Sequence, residues 1–461
     1  MKNLNKKYCS LLCFLGSGSK LMQAQINNAK DVFTIPAYPL KFFPPLFKEW
    51  EKKDNYLTSN KVLKLIIKHH KSILDSRYLK GFNGLNNLGS NKASFIKISE
   101  KKFKQSFIFF LKSKKISEKN VYLAIHYAYQ FAINDKSSII MFHPHDIEFF
   151  NSFIIKNFEN SKILAITRNP VYNFWRRAYS DQKVEEGRFD KTDCEYIKNY
   201  RYINRLRDLC INFKNLNSNY AKICKFFTFE NLKINNKKTL QKVCKFLNIK
   251  FSYNSLRNPR FDNKIWWGDK VYKGFNAKSK KSFVKDSYSY KEELKLFSNY
   301  EIFILECVMY PFMKKFKFKT YSLFKNSNLD HLKFFLYVLL PTKYGLSLFF
   351  ARLNFRNLGT YLSNTFKESF GKKNIKNYYF NAMYRHKWSY KIIYLIKLNF
   401  LRKLFFRSRN NFLLKILYFS SKVIIYPYLQ IELIFLYLVR IYFLIYLYFN
   451  VKNKIKYIQS A

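Results

Sequence analysis

Gly16-Ser17-Gly18-Ser19-Lys20, near the start of the chain, have the residue types needed to hold a phosphate. Small residues let backbone N–H groups converge on an anion, and a helix that follows adds the positive end of its dipole. Ser17 and Ser19 can add hydroxyls and Lys20 a cation. The nucleotide-binding pattern G-x-x-x-x-G-K-[ST] is absent, because Gly18-Ser19-Lys20 runs on into Leu21. No aspartate ends a strand-like run in a way that suits a metal. His143-Pro144-His145 is a local histidine cluster, but two ligands do not make a metal site.

The elements around this loop suit it. Tyr8 to Leu15 (YCSLLCFL) is a short continuous apolar run, as expected of a strand buried on both faces of a parallel sheet. After the loop, Leu21, Met22 and Ile26 have helical spacing. The unit is therefore strand, loop, helix. A second series starts near residue 137. SSIIMF reads as a strand, and DIEFFNSFIIKNF as a helix with Ile147, Phe150, Ile154 and Phe158 on one side. KILAIT (Lys162 to Thr167) is another strand, ending in Arg168-Asn169-Pro170. Pro170 suits a first helical turn. ICKFFTFENL reads as a strand ending in an acidic turn, with Glu230 capping it. The following helix carries Leu240, Val243, Cys244 and Leu247 on one side. Short buried strands alternating with helices predict an α/β fold with a parallel sheet. Residues 55–135 read as mostly helical, with His126 on an amphipathic face. Residues 36–45 read as an ordered loop.

Lys and Arg total 84 against 29 Asp and Glu, a formal net charge of +55. The excess of Lys, Asn, Ile, Phe and Tyr is what an AT-rich gene imposes. The charge also points to anionic ligands: a phosphorylated cofactor, an acidic glycan, nucleic acid or an anionic membrane. No pattern of a sequence-specific nucleic-acid reader is present. Seven scattered cysteines without a CxxC argue against a disulfide framework or zinc knuckle and for a reducing compartment. The first apolar run breaks into Gly-Ser-Gly-Ser-Lys rather than a cleavage site, so cytoplasmic synthesis without secretion is expected.

From about residue 320 the alternation stops, and the tail is dense in Phe, Tyr, Leu, Ile, Lys and Arg. The sequence divides into an α/β domain over 1–320 and a helical, basic, aromatic region over 321–461. Leu429 to Phe449 is long enough to span a bilayer but contains Glu432 and Arg440. A buried helix, an interfacial helix and a spanning helix all remain open. An interfacial helix would seat 411–461 on an anionic membrane, at the inner face.

Four segments occur in an order that resembles PAPS-dependent sulfotransferases, over about residues 8–276. LGSGSKLMQAQINNAKDVFTIP is similar to the 5'-phosphosulfate loop and its helix. KILAITRNPVYNFWRRAYS is similar to the 3'-phosphate motif. FTFENL with TLQKVCKFLNI, and NPRFDNKIWWGDKVYKG, are similar to two later segments. The resemblance implies a P-loop-NTPase-like sheet flanked by helices. It also implies sulfuryl transfer from PAPS to a hydroxyl, on a glycan or glycolipid in many bacterial relatives, with no metal. Gly16, Ser17, Gly18, Ser19 and Lys20 would hold the 5' end, with Lys20 near the bridging oxygen. Arg168 would grip the 3'-phosphate.

The sequence departs from the family pattern at several positions. Gly16 stands where the family has a basic residue, so Lys20 would replace it. Arg176 stands where the family has its 3'-phosphate serine, with Arg177 and Ser180 near it on the same helix. Lys270 stands at a position that is polar in the family, Lys273 follows, and either would neutralise the 3'-phosphate. For the general base, His143 and His145 are the candidates, because an imidazole works as a base near neutral pH. Thr34 to Trp50, rich in aromatic residues, would either stack sugar rings or pack in the core. Two other readings stand beside the transferase: a non-catalytic PAPS- or PAP-binding or basic membrane-surface protein, and another P-loop kinase or NTPase.

Overall fold

The computed structural model describes residues 6–14, 18–37, 39–40, 43–54, 56–78, 84–144, 150–158, 161–179, 191–268, 294, 297–322, 324–343, 345–346, 434 and 436–460. For 150–152, 175–179, 191–201, 204 and 219–220 it describes the backbone only.

The apolar runs fold as the strands they predict. They are β1 (Lys7–Cys13), β3 (Ile139–Phe142), β4 (Lys162–Thr167) and β5 (Cys224–Thr228), and a two-residue strand, β2 (Val32–Phe33), joins them. All pair in parallel in the order β2-β3-β1-β4-β5. β1 is central, and Ser10, Leu11 and Leu12 have no exposed surface. That is why its sequence is continuous rather than alternating. Nothing in a two-residue run marks β2 in the sequence.

Helices cover the sheet. In chain order they are α1 (Ser19–Ile26), α2 (Phe43–Lys53), α3 (Ser59–His69), α4 (Glu100–Leu111), α5 (Glu118–Ala132), α6 (Pro170–Tyr179), α7 (Lys191–Lys214), α8 (Ser218–Ile223), α9 (Phe229–Ile234) and α10 (Asn236–Leu247). Leu240, Val243, Cys244 and Leu247 form the buried side of α10 as their spacing requires. The α/β fold with a parallel sheet flanked by helices is the one expected. Two local readings change. Residues 150–155 form a π-helical turn rather than an α-helix, and the aromatic stretch after Pro36 is largely helix α2. Phe43, Phe47 and Trp50 on α2 are core residues, so at these positions the aromatic rings pack inside rather than face a sugar.

After a short hairpin of β6 (Arg260–Phe261) and β7 (Lys264–Ile265), the chain continues into a helical C-terminal region. It contains α11 (Asn299–Phe316), α12 (Asn328–Val338) and α13 (436–454). Capping boxes of Ser298 with Glu301 and of Ser327 with Asp330 start the first two. Helix α13 packs one side into the main core through Leu444, Leu447 and Val451. Arg440, the charge that interrupts its apolar sequence, is buried. Its guanidinium donates to the carbonyls of Val338, at 3.1 Å, and Leu340, at 2.7 Å, at the C-terminal end of α12. A cation there meets the negative end of the helix dipole. Beyond α13 the chain returns to the sheet, where the Phe226 N–H donates to the Gln459 carbonyl at 2.9 Å. Among the described residues no helix is long and apolar enough to cross a membrane. The six described cysteines with placed side chains are all free and buried.

Candidate anion-binding site at the C-terminal end of the sheet

In an open parallel sheet, ligands bind beyond the carboxyl ends of the strands, where neighbouring connections leave in opposite directions. Here those neighbours are β1, which connects toward β2, and β3, which connects past β1 to β4. The Gly18-Ser19 turn follows β1 and His143 follows β3, so both flank this point.

Helix α1 begins at Ser19, with Gly18 as its N-cap. Gly18 has φ 63° and ψ 8°, a left-handed conformation that glycine adopts readily. A Cβ at Gly18 would lie 2.1 Å from Cδ2 of Phe229, so glycine is required for space as well. No side-chain cap hydrogen bond covers the first turn of α1. Such a terminus suits an anion.

Ser19 is buried, and its hydroxyl lies 3.0 Å from His143 Nε2. The surrounding hydrogen bonds assign the protons. The Gln23 side-chain amide donates to Thr34 Oγ1 and to the carbonyls of Ile35 and Ala37, at 2.8–3.0 Å. Gln23 Oε1 is therefore an acceptor. His143 Nδ1, 3.0 Å from Gln23 Oε1 and 2.9 Å from the Ala37 carbonyl, carries the proton. His143 Nε2 then accepts from the Ser19 hydroxyl. Burial pushes the His143 pKa down to about 3; the Ala37 carbonyl opposes this, and the nearby Lys20 charge adds to it. The imidazole is neutral at ordinary pH and holds Ser19 in place.

On the other side of β1, the R-N-P sequence is used residue by residue. Asn169 Oδ1 accepts the N–H groups of Val171 and Tyr172, at 3.1 and 3.3 Å, and so caps α6. Pro170 takes the first helical position. The Asn169 N–H donates to Glu230 Oε1 at 2.9 Å, which ties the ends of β4 and β5 together. Glu230 is thus structural, but it does not cap its turn; Thr228 does, its hydroxyl accepting the Asn231 N–H at 3.1 Å. Arg168 is 3% exposed. Its guanidinium lies between two rings, 4.2 Å from the Tyr172 centroid and 4.6 Å from that of Phe229. Phe229 therefore touches both halves of the site, with the α1 cap on one side and Arg168 on the other.

The tryptophan segment is anchored by its own contacts, beginning at the end of α1 that lies away from the Gly18 cap. Asn28, just past α1, donates its side-chain amide to the Asn258 carbonyl at 2.7 Å. Trp267 Nε1 donates to the Gly89 carbonyl at 2.6 Å, and Gly84 packs so closely on the Gly268 carbonyl that a Cβ would lie 1.9 Å from it. Here the two tryptophans act as packing and anchoring residues.

Of the residues that the sequence singles out, the structure brings together Gly18, Ser19, Lys20, His143 and Arg168. Gly16, Ser17, His145, Lys270 and Lys273 lie outside the described residues, as does the side chain of Arg176. His126 stands apart in α5; its Nδ1 lies 2.9 Å from the Tyr122 carbonyl, and burial lowers its pKa to about 4. Among the described residues no group of His, Cys, Asp and Glu could hold a metal ion. Sequence reasoning missed Gln23, Tyr172 and Phe229. Gln23 lies four residues after Ser19 and Tyr172 four after Arg168, so helical spacing marks the first and a single turn the second. No spacing marks Phe229.

No protein-family model matches the chain, and no curated protein matches it. Among solved structures it is similar to a sulfotransferase domain from the curacin biosynthetic pathway. The identity is 15% and the TM-score 0.33, over 63% of this chain and 95% of that one.

Proposed function

We propose that the chain is a sulfotransferase that moves a sulfuryl group from PAPS to a hydroxyl of a glycan or glycolipid. The observation that carries this reading is the meeting of two positively polarised features at one end of the sheet. One is the glycine-capped N-terminus of α1, and the other is the buried Arg168; the Phe229 ring lies against both. Two such features, one on each neighbour of the Phe229 ring, suit a nucleotide with phosphates at both its 5' and 3' ends.

Gly18, Ser19 and Lys20 would hold the 5' end, and Arg168 the 3'-phosphate. When bound, PAPS supplies the sulfuryl group and a phosphoadenosine that leaves with the bridging electrons. The protein's part is positioning and charge stabilisation. Backbone N–H groups at the start of α1 fix the 5' phosphate, and Lys20 offsets charge beside it. The Tyr172 and Phe229 rings hold the Arg168 guanidinium, while His143 fixes the Ser19 rotamer. With a pKa near 3 and its bare nitrogen engaged by Ser19, His143 is a positioning residue in this reading rather than the base.

That same engagement favours a second reading, a PAP-binding protein that does not transfer sulfuryl. The test is calorimetry of the full chain with PAP, followed by transfer from PAPS to carbohydrate acceptors. Tight PAP binding that falls in Arg168→Lys, with folding retained, supports the site. Absence of binding by the wild type, or binding unchanged in Arg168→Lys and Arg168→Ala, overturns it. Binding without transfer to any hydroxyl selects the second reading.

A further inference from the structure

Helices α12 and α13 pack antiparallel to each other, with His331, Phe334 and Phe335 of α12 against Tyr448 and the end of α12 against Arg440. Their outer sides are apolar and exposed. On α12 the exposed row is Leu332, Phe335, Leu336 and Leu339, at i, i+3, i+4 and i+7. On α13 it is Leu438, Tyr442 and Phe449, which also share one face. The two rows meet at Tyr448, whose ring centroid is 5.4 Å from that of Phe335 and 5.2 Å from that of Phe449. Leu336 and Leu339 are each 58% exposed. A continuous apolar face of this kind marks an interaction site.

The charges around it select the partner. Between residues 324 and 346 the only acidic residue is Asp330, which is buried and engaged with Ser327 and Lys325 N–H groups. Residues 436–460 contain none. Lys325 and Lys343 are exposed beside α12, and Lys452 and Lys456 follow or end α13. Along these two segments the face is thus leucine and aromatic residues, and the exposed charges are lysines. A second copy would bring like charges together. Nucleic acid would use the lysines but not the leucines. An anionic bilayer uses both, since apolar side chains enter the acyl boundary and lysines meet the headgroups. Among the described residues no helix is long and apolar enough to cross the membrane. We propose that the α12–α13 face docks the protein on an anionic membrane surface, with the two helices lying in the interface plane.

The test is flotation of the full chain with equimolar phosphatidylcholine/phosphatidylglycerol vesicles and with phosphatidylcholine alone. The wild type should float with the anionic vesicles, less with the neutral ones, and less at high salt. Leu336→Asp/Leu339→Asp should lower partitioning about ten-fold or more, because it puts charge where the acyl boundary lies. Both positions are exposed, so the melting temperature should hold. If it does not, Lys325→Glu/Lys343→Glu supplies the same test through charge. Absence of flotation with anionic vesicles overturns the proposal. So does flotation unchanged in both variants, which would put the contact elsewhere in the chain. So does light scattering that finds a wild-type dimer and a monomeric Leu336→Asp/Leu339→Asp variant, which would make a second copy the occupant.

Discussion

His143 Nε2 accepts a hydrogen bond from the Ser19 hydroxyl across 3.0 Å, and this contact ties the end of β3 to the first turn of α1. The two residues are 124 apart in sequence. The bond makes the geometry of the glycine-capped turn depend on a neutral imidazole fixed at its other nitrogen by Gln23 and Ala37.

The two residues should act as a unit. His143→Gln and Ser19→Ala should each weaken PAP binding about ten-fold, since losing a buried hydrogen-bond partner costs roughly 1–3 kcal/mol. The double variant should lose little more than either single one, because residues in one hydrogen-bond network are not additive. Calorimetric titration of the four proteins with PAP measures the coupling. Additive losses would mean that His143 does not act through Ser19.

Gly18→Ala should fail on two counts. The new Cβ meets the Phe229 ring, and an L-residue is strained at φ 63°. A loss of about 1–3 kcal/mol in stability is expected by chemical denaturation, with weaker PAP binding. Phe229→Leu in the same chain should recover part of the stability. It should not recover the affinity, because the Phe229 ring also packs on Arg168.

Acid should destabilise the protein through its buried histidines. Burial holds His143 near pKa 3 and His70 and His126 near 4, below the unfolded value of about 6.5. The unfolded chain therefore binds more protons between those values, and stability rises with pH across that window. It is fully present above about pH 6.5 and falls as the pH drops toward 4. Replacing His126 by Asn should flatten the fall by up to about 3 kcal/mol, read as the difference in denaturation free energy between pH 7 and pH 4.

The strands of the sheet were legible because each buried one is a continuous apolar run, and the Asn169-Pro170 start of α6 was legible from capping chemistry. The two-residue β2 carries no such signal. Helix α2 was hidden by Pro44 and Pro45, which read as a loop yet fit a first helical turn. At the site, Gly18, Ser19 and Arg168 were legible from their order along the chain. The role of His143 was not, because its partners come from α1 and from Ala37, and burial rather than residue type sets its protonation. The charge of Arg440 argued against a membrane span, but its burial was not legible, because its partners are the carbonyls of Val338 and Leu340, far away in sequence.

The return of residues 458–460 to the edge of β5 has a consequence for synthesis. Phe226 pairs with Gln459 and Ser460, Lys315 Nζ donates to the Ile455 carbonyl, and Lys454 Nζ to that of Leu216. Residues 436–460 leave the ribosome long after the sheet they close upon. Until they arrive, β5 has an open edge and the core faces that receive Leu444, Leu447 and Val451 stay wet. The nascent chain must therefore wait in a partly closed state, the kind of intermediate in which exposed edges and apolar faces invite association. Slow elongation through the tyrosine- and lysine-rich stretch would lengthen that wait.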